Sequence, residues 1–338
     1  MSGGPYAVAV VGATGAVGGE MRRLLEARRF PFSSLRLFTS PRSAGRTMTV
    51  GGREWTAEIL ADGCFDGVDL ALFSAGATVS REWGPRAVRA GALVVDNSSA
   101  FRMDPETPLI VPEVNSRRLP KPPALIANPN CSTIQMVMAL KPLHDLFGLE
   151  RVIVSTYQSV SGAGQSAMNE LIDRTGGLLA GHEDPPVKFP HPIAFNLVPQ
   201  VDEFGADGYT REEWKMVNET RKILEIPMLP VVATCVRVPV LRAHSEMVWA
   251  SFGKPVDLAA ARQALAAFPG VVVEDDPETR LYPLPRNAES TDPVYVGRLR
   301  RDPSDPNALV FWVVADNLLK GAALNAVQIA ELLVERRG

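Results

Sequence analysis

Ala7-Val8-Ala9-Val10-Val11-Gly12-Ala13-Thr14-Gly15-Ala16-Val17-Gly18 is the stretch that decides the fold. An unbroken apolar run ending in glycine is what a strand buried on both faces looks like, and the amphipathic pattern over Ala16–Arg28 then opens a helix. Glycines between the two permit a tight turn. They also let a pyrophosphate approach backbone N–H groups at the positive end of the helix dipole. The spacing is GxxGxxG, and Gly12, Thr14, Gly15, Ala16, Val17 and Gly18 are candidate dinucleotide contacts, with a merely structural turn as the alternative.

Working outward, Leu35–Thr39, Asp69–Phe73 and Leu93–Asp96 repeat the strand signal, and Val79–Ala90 reads as a helix between the last two. This alternation predicts a Rossmann-like, doubly wound parallel sheet, an α/β architecture. The second strand runs into Ser40-Pro41-Arg42-Ser43, where an NAD site would offer an acid to the ribose. Arg42 instead suits a 2′-phosphate, with Ser40 and Ser43 as hydrogen-bond donors, so NADP(H) is the expected cofactor and a solvated loop the alternative.

Prolines crowd Pro105–Pro129, which reads as a crossing between domains. The expected division is residues 1–128, completed by a C-terminal helix over 318–338, and residues 129–317. In the second domain Arg151–Tyr157, Val231–Val238, Glu246–Phe252, Val271–Glu274, Val294–Leu299 and Leu309–Ala315 read as strands of a mixed or antiparallel sheet, giving an α+β catalytic and dimerisation domain. Gln165–Arg174 and Leu258–Ala267 are its covering helices, and Gly176–Asp207 is an irregular excursion suited to an interface. Gly321–Arg336 is helical, with an apolar stripe of Leu324, Val327, Ile329, Leu332 and Leu333.

A chain of 338 residues suits two cores, and 35 basic against 38 acidic residues leave a net charge of -3, which gives no field for holding nucleic acid. The longest strongly apolar run, Ala308–Ala315, falls far short of the roughly 20 residues that span a bilayer. Met1–Tyr6 has no basic flank, so no signal peptide and no membrane partner are read, and a cytoplasmic location is expected. Cys64, Cys131 and Cys235 are too scattered for disulfides or a metal cluster, and His144, His182, His191 and His244 show no ligand spacing, so no metal is expected.

Cys131 stands apart from the other cysteines. Ala127-Asn128-Pro129-Asn130 precedes it and the apolar helical stretch Ile134–Leu140 follows, so the thiol sits at a helix N-terminus, where the dipole stabilises a thiolate. Cys64 and Cys235 read as small buried hydrophobes. Gln158 and Ser161-Gly162-Ala163-Gly164 follow a strand, and a glycine-rich turn there serves either a ligand or the fold alone. Arg237 and His244 flank Pro239 at a strand junction, and His244 is read equally as a catalyst or a satisfied core histidine.

Taken together, GATGAVG at 12–18, SPRSAG at 40–45, FSAG at 73–76, DNSSAFR at 96–102, NPNCST at 128–133, TYQSVSGAG at 156–164, EEWK at 212–215, RVPVLRAH at 237–244 and NLLKGAALNAVQ at 317–328 resemble the aspartate-semialdehyde dehydrogenase family. The resemblance implies Cys131 as nucleophile, His244 as acid/base and Gln158 orienting the acyl group. It implies Arg237 on the substrate α-carboxylate, Glu212 on its α-amino group with the adjacent Glu213 left open as the alternative, and Arg102, Lys215 and Asn130 at the phosphate. It adds Ser74, Ala75, Gly76, Ser161, Gly162 and Asn317 to the cofactor contacts. The implied reaction is NADPH-dependent reductive dephosphorylation of aspartyl phosphate to aspartate semialdehyde and inorganic phosphate. That step serves biosynthesis of lysine, threonine, methionine, isoleucine and diaminopimelate, and the implied assembly is a homodimer or a dimer of dimers. Two alternatives stand beside it: N-acetyl-γ-glutamyl-phosphate reductase, whose nucleophile usually lies in Gly-Cys-Tyr-Pro, and a non-catalytic dinucleotide-binding scaffold.

Overall fold

The opening apolar run is strand β1 (Tyr6–Val11), and helix α1 (Ala16–Ala27) follows it, burying Gly18, Met21, Leu24 and Leu25 against the sheet. The computed structural model describes residues 5–182 and 184–335. By contacts the chain divides into two units. The described residues up to Asn130 and those from Ala322 onward form the first, and Cys131–Gly321 forms the second.

In the first unit β2 (Phe32–Phe38), β3 (Thr47–Val50), β4 (Arg53–Glu58), β5 (Leu70–Phe73), α2 (Ala77–Arg89), β6 (Leu93–Asp96), a short α3 (Pro112–Asn115) and β7 (Leu125–Ala127) follow in turn. The sheet order is β3-β4-β2-β1-β5-β6-β7, with β2, β1, β5, β6 and β7 all parallel. β1 has β2 on one side and β5 on the other, so the chain reverses its winding there and leaves a crevice at the carboxyl end of β1. Val8, Ala9, Val10 and Val11 are buried, as the continuous apolar run requires.

Two features depart from the sequence reading. The β3–β4 hairpin turns on Gly51 and Gly52, both at positive φ, and puts an antiparallel strand on the sheet edge. Its exposed polar faces conceal it from a search for apolar runs. Pro105–Pro129 is not simply a crossing segment, because β7 pairs in parallel with β6 at Val94↔Leu125 and Asp96↔Ala127. Three residues between prolines are too few to show a period.

The second unit opens with α4 (Cys131–Phe147), buried nearly all round, and continues through β8 (Leu149–Gln158), α5 (Gln165–Leu179), α6 (Arg211–Leu224), β9 (Val231–Arg237), β10 (His244–Phe252), α7 (Leu258–Ala267), β11 (Val271–Val273), a short α8 (Pro285–Ala288), β12 (Val294–Arg301) and β13 (Ala308–Ala315). The sheet order is β11-β12-β13-β10-β8-β9, mixed because β8/β9 and β11/β12 are parallel and the other pairs antiparallel. α4 packs on β8, β10, β12 and β13, α6 on β9, and α7 on β11 and β12. α5 runs past its expected end at Arg174 through Gly176 and Gly177 to Leu179, so the irregular excursion starts later than the glycines suggest. Glu170 of α5 then accepts the backbone N–H groups of Val187 and Lys188, which ties part of the excursion down; residue 183 lies outside the described residues.

A π-turn over Leu319–Ala323 precedes α9 (Leu324–Glu335), which packs on α1, α3 and β6 of the first unit. Arg28, the residue that caps the end of α1, grips Glu331 through two hydrogen bonds of 2.7 and 2.8 Å. Asn325 donates to Asn128 Oδ1 at 2.7 Å, and Asn128 donates to Asn97 Oδ1 at 2.7 Å, so three amides knit α9 to the sheet end. The Arg336 end expected for this helix, and the rest of 336–338, lie outside the described residues.

Candidate active site and dinucleotide cradle

Strand directions assemble the candidate site of the second unit. β8 and β9 are parallel, so Gln158 and Arg237 end side by side as register partners. β10 runs antiparallel to β8 and to β13, so His244 starts where β8 ends, opposite Ala315 at the end of β13. Four chain segments that are distant in sequence therefore meet at one end of one sheet.

His244 is fully buried, and its Nδ1 accepts the Ser159 backbone N–H at 3.0 Å with Ser159 Oγ also at 3.0 Å. A backbone N–H can only donate, so the neutral ring carries its proton on Nε2. Nε2 has no hydrogen-bond partner among the described residues. A Cβ at Gly162 would stand 3.3 Å from His244 Cε1 and Nε2 and 3.1 Å from Arg237 Nη1, so the glycine keeps space open beside both groups. Burial, reinforced by the Arg237 charge and opposed by Glu212, lowers the imidazole pKa to about 3. At neutral pH His244 is an uncharged N–H donor held in one tautomer.

Arg237 donates from Nη1 to the Ser159 carbonyl at 2.7 Å. Burial lowers its pKa, while Glu212 and Cys131 pull it back up, so the guanidinium stays a cation beside the thiol of Cys131. Gln158 Nε2 donates to Glu212 Oε1 at 3.2 Å. Lys215 Nζ bonds Glu212 Oε2 at 3.0 Å and Asp202 Oδ2 at 2.7 Å. Burial alone would pull the Lys215 pKa down, but those two carboxylates raise it, and the ammonium stays charged. Adjacent acids separate cleanly here. Glu213 accepts the N–H groups of Thr210 at 2.7 Å and Cys235 at 3.0 Å and completes a capping box on α6, so its carboxylate holds backbone while that of Glu212 lies among the site's side chains.

Cys131 begins α4 and is partly exposed, whereas Cys64 and Cys235 are buried. Burial raises the thiol pKa of both buried cysteines, which keeps them protonated. Gly321 in the π-turn lies against Cys131: a Cβ there would approach Cys131 Cβ to 2.8 Å. Asn317 Oδ1 accepts from the Ala243 N–H and from the Ser159 and Ser161 hydroxyls, all within 3.1 Å, so it braces the segment that holds His244. Ser159 and Asp202 escaped the sequence reading. Ser159 lies within the TYQSVSGAG segment but carries no role there, Asp202 belongs to no motif, and the hydrogen bonds of the folded chain bring out both.

The first unit carries the remaining candidate residues. Gly12 has φ +88°, and a Cβ on it would lie 2.4 Å from the Ser74 carbonyl oxygen; one on Gly18 would lie 2.1 Å from the Gly12 carbonyl oxygen. These are backbone contacts that cannot relax, so the loop admits no side chain at either position. The Gly15 N-cap of α1 has no side-chain cap and the first turn no acid, which leaves its N–H groups for an anion. Ser74-Ala75-Gly76 follows β5 beside this loop, with Gly76 at φ +88°. Thr14 and Thr39 hydroxyls bond each other at 2.7 Å across the crevice, and Thr39 was missed because threonine at a strand end is unremarkable in sequence. Ser40 and Arg42 are exposed after β2, but Ser43 is buried, so Arg42 and Ser40 are the accessible members of that trio. Arg102 and Asn130 are buried in the first unit, and Arg102 Nη2 donates to the Asn97 carbonyl at 2.9 Å. Lys215 belongs to the second unit.

Comparison with known proteins adds a family frame. The profile described as "Semialdehyde dehydrogenase, NAD binding domain" matches residues 7–121, and that described as "Semialdehyde dehydrogenase, dimerisation domain" matches residues 140–320. The chain is 52% identical to an aspartate-semialdehyde dehydrogenase of Aquifex aeolicus over 98% of both proteins. The crystal structure of aspartate semialdehyde dehydrogenase II of Vibrio cholerae, complexed with ASA, superposes with a TM-score of 0.94 at 45% identity, covering 98% of each chain. A more distant aspartate semialdehyde dehydrogenase, from Candida albicans and solved with NADP, superposes with a TM-score of 0.77 at 27% identity, covering 97% of this chain and 98% of that one.

Proposed function

The chain belongs to the aspartate-semialdehyde dehydrogenase family, and from that premise we propose that it reduces aspartyl phosphate to aspartate semialdehyde through a thioester on Cys131, with NADPH as its reductant. The observation that carries the assignment of roles is the buried, neutral His244 with a free Nε2–H beside Arg237 and the Gly162 gap.

The Cys131 thiolate attacks the β-carbonyl carbon; a C–S bond forms, and the bond from that carbon to the bridging phosphate oxygen breaks as inorganic phosphate leaves with the electron pair. The cation of Arg237 and the α4 N-terminus both favour the thiolate form. NADPH, when bound, supplies the hydride that reduces the thioester carbonyl. The alkoxide so formed on the substrate accepts a hydrogen bond from His244 Nε2–H, then re-forms the carbonyl and expels the Cys131 thiolate. A neutral imidazole fits this better than a cation, because its task is to stabilise developing negative charge rather than to give up a proton outright. Arg237 has one guanidinium edge on the Ser159 carbonyl and presents the other to the substrate α-carboxylate. Glu212 takes the α-amino group. Lys215, Arg102 and Asn130 serve the phosphate, Lys215 after exchanging one of its two carboxylate partners.

The residues of the first unit suit a dinucleotide: a glycine loop closed to side chains, an uncapped helix start, and an exposed Arg42 with Ser40 where a 2′-phosphate would lie. A homodimer formed through the second unit, with a dimer of dimers as its larger form, and a cytoplasmic location complete the reading. Among the described residues no helix is long and apolar enough to cross a membrane.

Phosphate-dependent NADP reduction, measured with aspartate semialdehyde and with N-acetylglutamate semialdehyde, tests the proposal. Turnover of the first alone is expected, lost in Cys131→Ser while NADP binding persists. Activity confined to the second aldehyde would replace the substrate, and an unaffected Cys131→Ser would remove the thioester.

A further inference from the structure

One row beneath His244 on β10 lies an acid that the reaction does not use. Glu246 is two residues along the strand and faces the same side, where it is fully buried. Its register partners are Thr156 on β8 and Val313 on β13, and Cys235 of β9 continues the row. Neither Glu246 oxygen has a hydrogen-bond partner among the described residues. An ionised carboxylate left so would cost far more than a folded protein can spare.

Gln135 on α4 explains how the acid is accommodated. It lies four residues after Cys131, hence on the same helix face, and is itself buried. Its Nε2 donates to the His244 carbonyl at 3.4 Å, and its Oε1 has no partner among the described residues. The Gln135 amide adjoins the Glu246 carboxyl. Gln135 Oε1 and the neighbouring Glu246 carboxyl are thus buried acceptors without a partner among the described residues, and a proton on the acid would serve both.

We propose that Glu246 is a positioning residue: a neutral carboxylic acid that donates its proton to Gln135 Oε1, so that Glu246, Gln135 and the His244 carbonyl form a bridge between the helix that carries the nucleophile and the strand that carries the imidazole. It rests on the reading of Cys131 and His244 as the reacting pair. Burial drives the Glu246 pKa well above the carboxylate range, opposed by the Gln135 amide and helped by the Glu212 charge. The groups facing it from neighbouring elements are Gln135 on α4, Glu212 on α6, Cys235 on β9 and His244 on its own strand. None is a cation in contact with it. A negative charge at this position would oppose thiolate formation at Cys131, so the site needs the acid's hydrogen bond without its charge.

Infrared difference spectroscopy of the full-length enzyme at pH 7 tests the protonation directly. A protonated-carboxyl band that disappears in Glu246→Gln is expected, and its absence from the wild type refutes the proposal whatever the chemistry at Cys131. Glu246→Gln keeps a neutral donor of the same shape. It should leave kcat within about threefold and the pH dependence of Cys131 alkylation unchanged, whereas Glu246→Leu should lower kcat about tenfold, the scale of one hydrogen bond, with the KM for cofactor unmoved. Equal loss in Gln and Leu variants, or no loss in Leu, overturns it. Should the Leu variant fail to fold, the infrared band and the Gln variant still decide.

Discussion

Adding one methyl group at Gly162 is the sharpest single perturbation of the proposed site. Gly162 lies in a tight turn (Val160–Ala163) with φ outside the left-handed region, so alanine can adopt its backbone without strain. The new Cβ would stand 3.1 Å from Arg237 Nη1 and 3.3 Å from His244 Nε2 and Cε1, against about 3.5–4.0 Å for relaxed contact. Neither neighbour can step back freely. Arg237 is held by the Ser159 carbonyl at 2.7 Å, and His244 by the Ser159 N–H at 3.0 Å. A shift of a few tenths of an ångström, together with a methyl group in the space the substrate oxygen must enter, should lower kcat/KM for the aldehyde about ten- to a hundredfold, the scale for misplaced reacting groups. Cofactor KM and melting temperature serve as controls, because Gly162 also lies among the expected cofactor contacts. If kcat/KM stays within about threefold with the melting temperature unchanged, nothing reacts beside Nε2, and the donor role of His244 fails.

The buried His244 also makes stability pH-dependent. Its folded-state pKa, about 3, lies below the ordinary 6.5, so the unfolded chain takes up the proton first as pH falls and stability is lost from about 6.5 downward. At pH 5 the loss is about 2 kcal/mol, and urea unfolding of His244→Asn at pH 7.5 and 5 should lack that increment; an identical loss in both proteins would contradict it. Arg42→Ala should raise the KM for NADP about tenfold or more while leaving that for NAD nearly alone; equal changes remove the 2′-phosphate contact. Glu213→Gln should lower the melting temperature, since its carboxylate holds two backbone N–H groups, whereas Glu212→Gln should spare stability and raise the substrate KM, and the reverse pattern would exchange their roles.

The two sheets were legible in the sequence for different reasons. Val8–Val11 and Leu70–Phe73 announce a parallel core because both strand faces are buried, so no alternation is needed to find them. Thr47–Val50 and Arg53–Glu58 form an exposed edge hairpin whose only signal is Gly51-Gly52, and Leu125–Ala127 is too short for any period to appear. α6 escaped as an element for another reason. Thr210 and Glu213 write a capping box at its start, but a helix that carries Glu212, Glu213, Lys215, Glu219, Arg221 and Lys222 shows its apolar stripe only faintly, and the reading met it solely as part of the family pattern.

At the site, residue identity and residue state separate. Cys131 stands out because a helix start is written in the residues around it, and Arg237 and His244 stand out through the family pattern. What the sequence could not supply is the condition of those groups. The tautomer of His244 follows from the Ser159 N–H, which reaches Nδ1 only because β8 and β10 pair antiparallel at Tyr157↔Ser245 and the chain turns just beyond Gln158. The neutrality of that ring follows from complete burial beside a cation, a consequence of Gln158↔Arg237 pairing that no local window contains. The same register sets Glu246 one row below, where burial reverses the ordinary expectation for a glutamate and makes it a donor. A glutamate at that point of a strand reads from sequence as an outward-facing charge, and only the alternation fixed by His244 turns it inward.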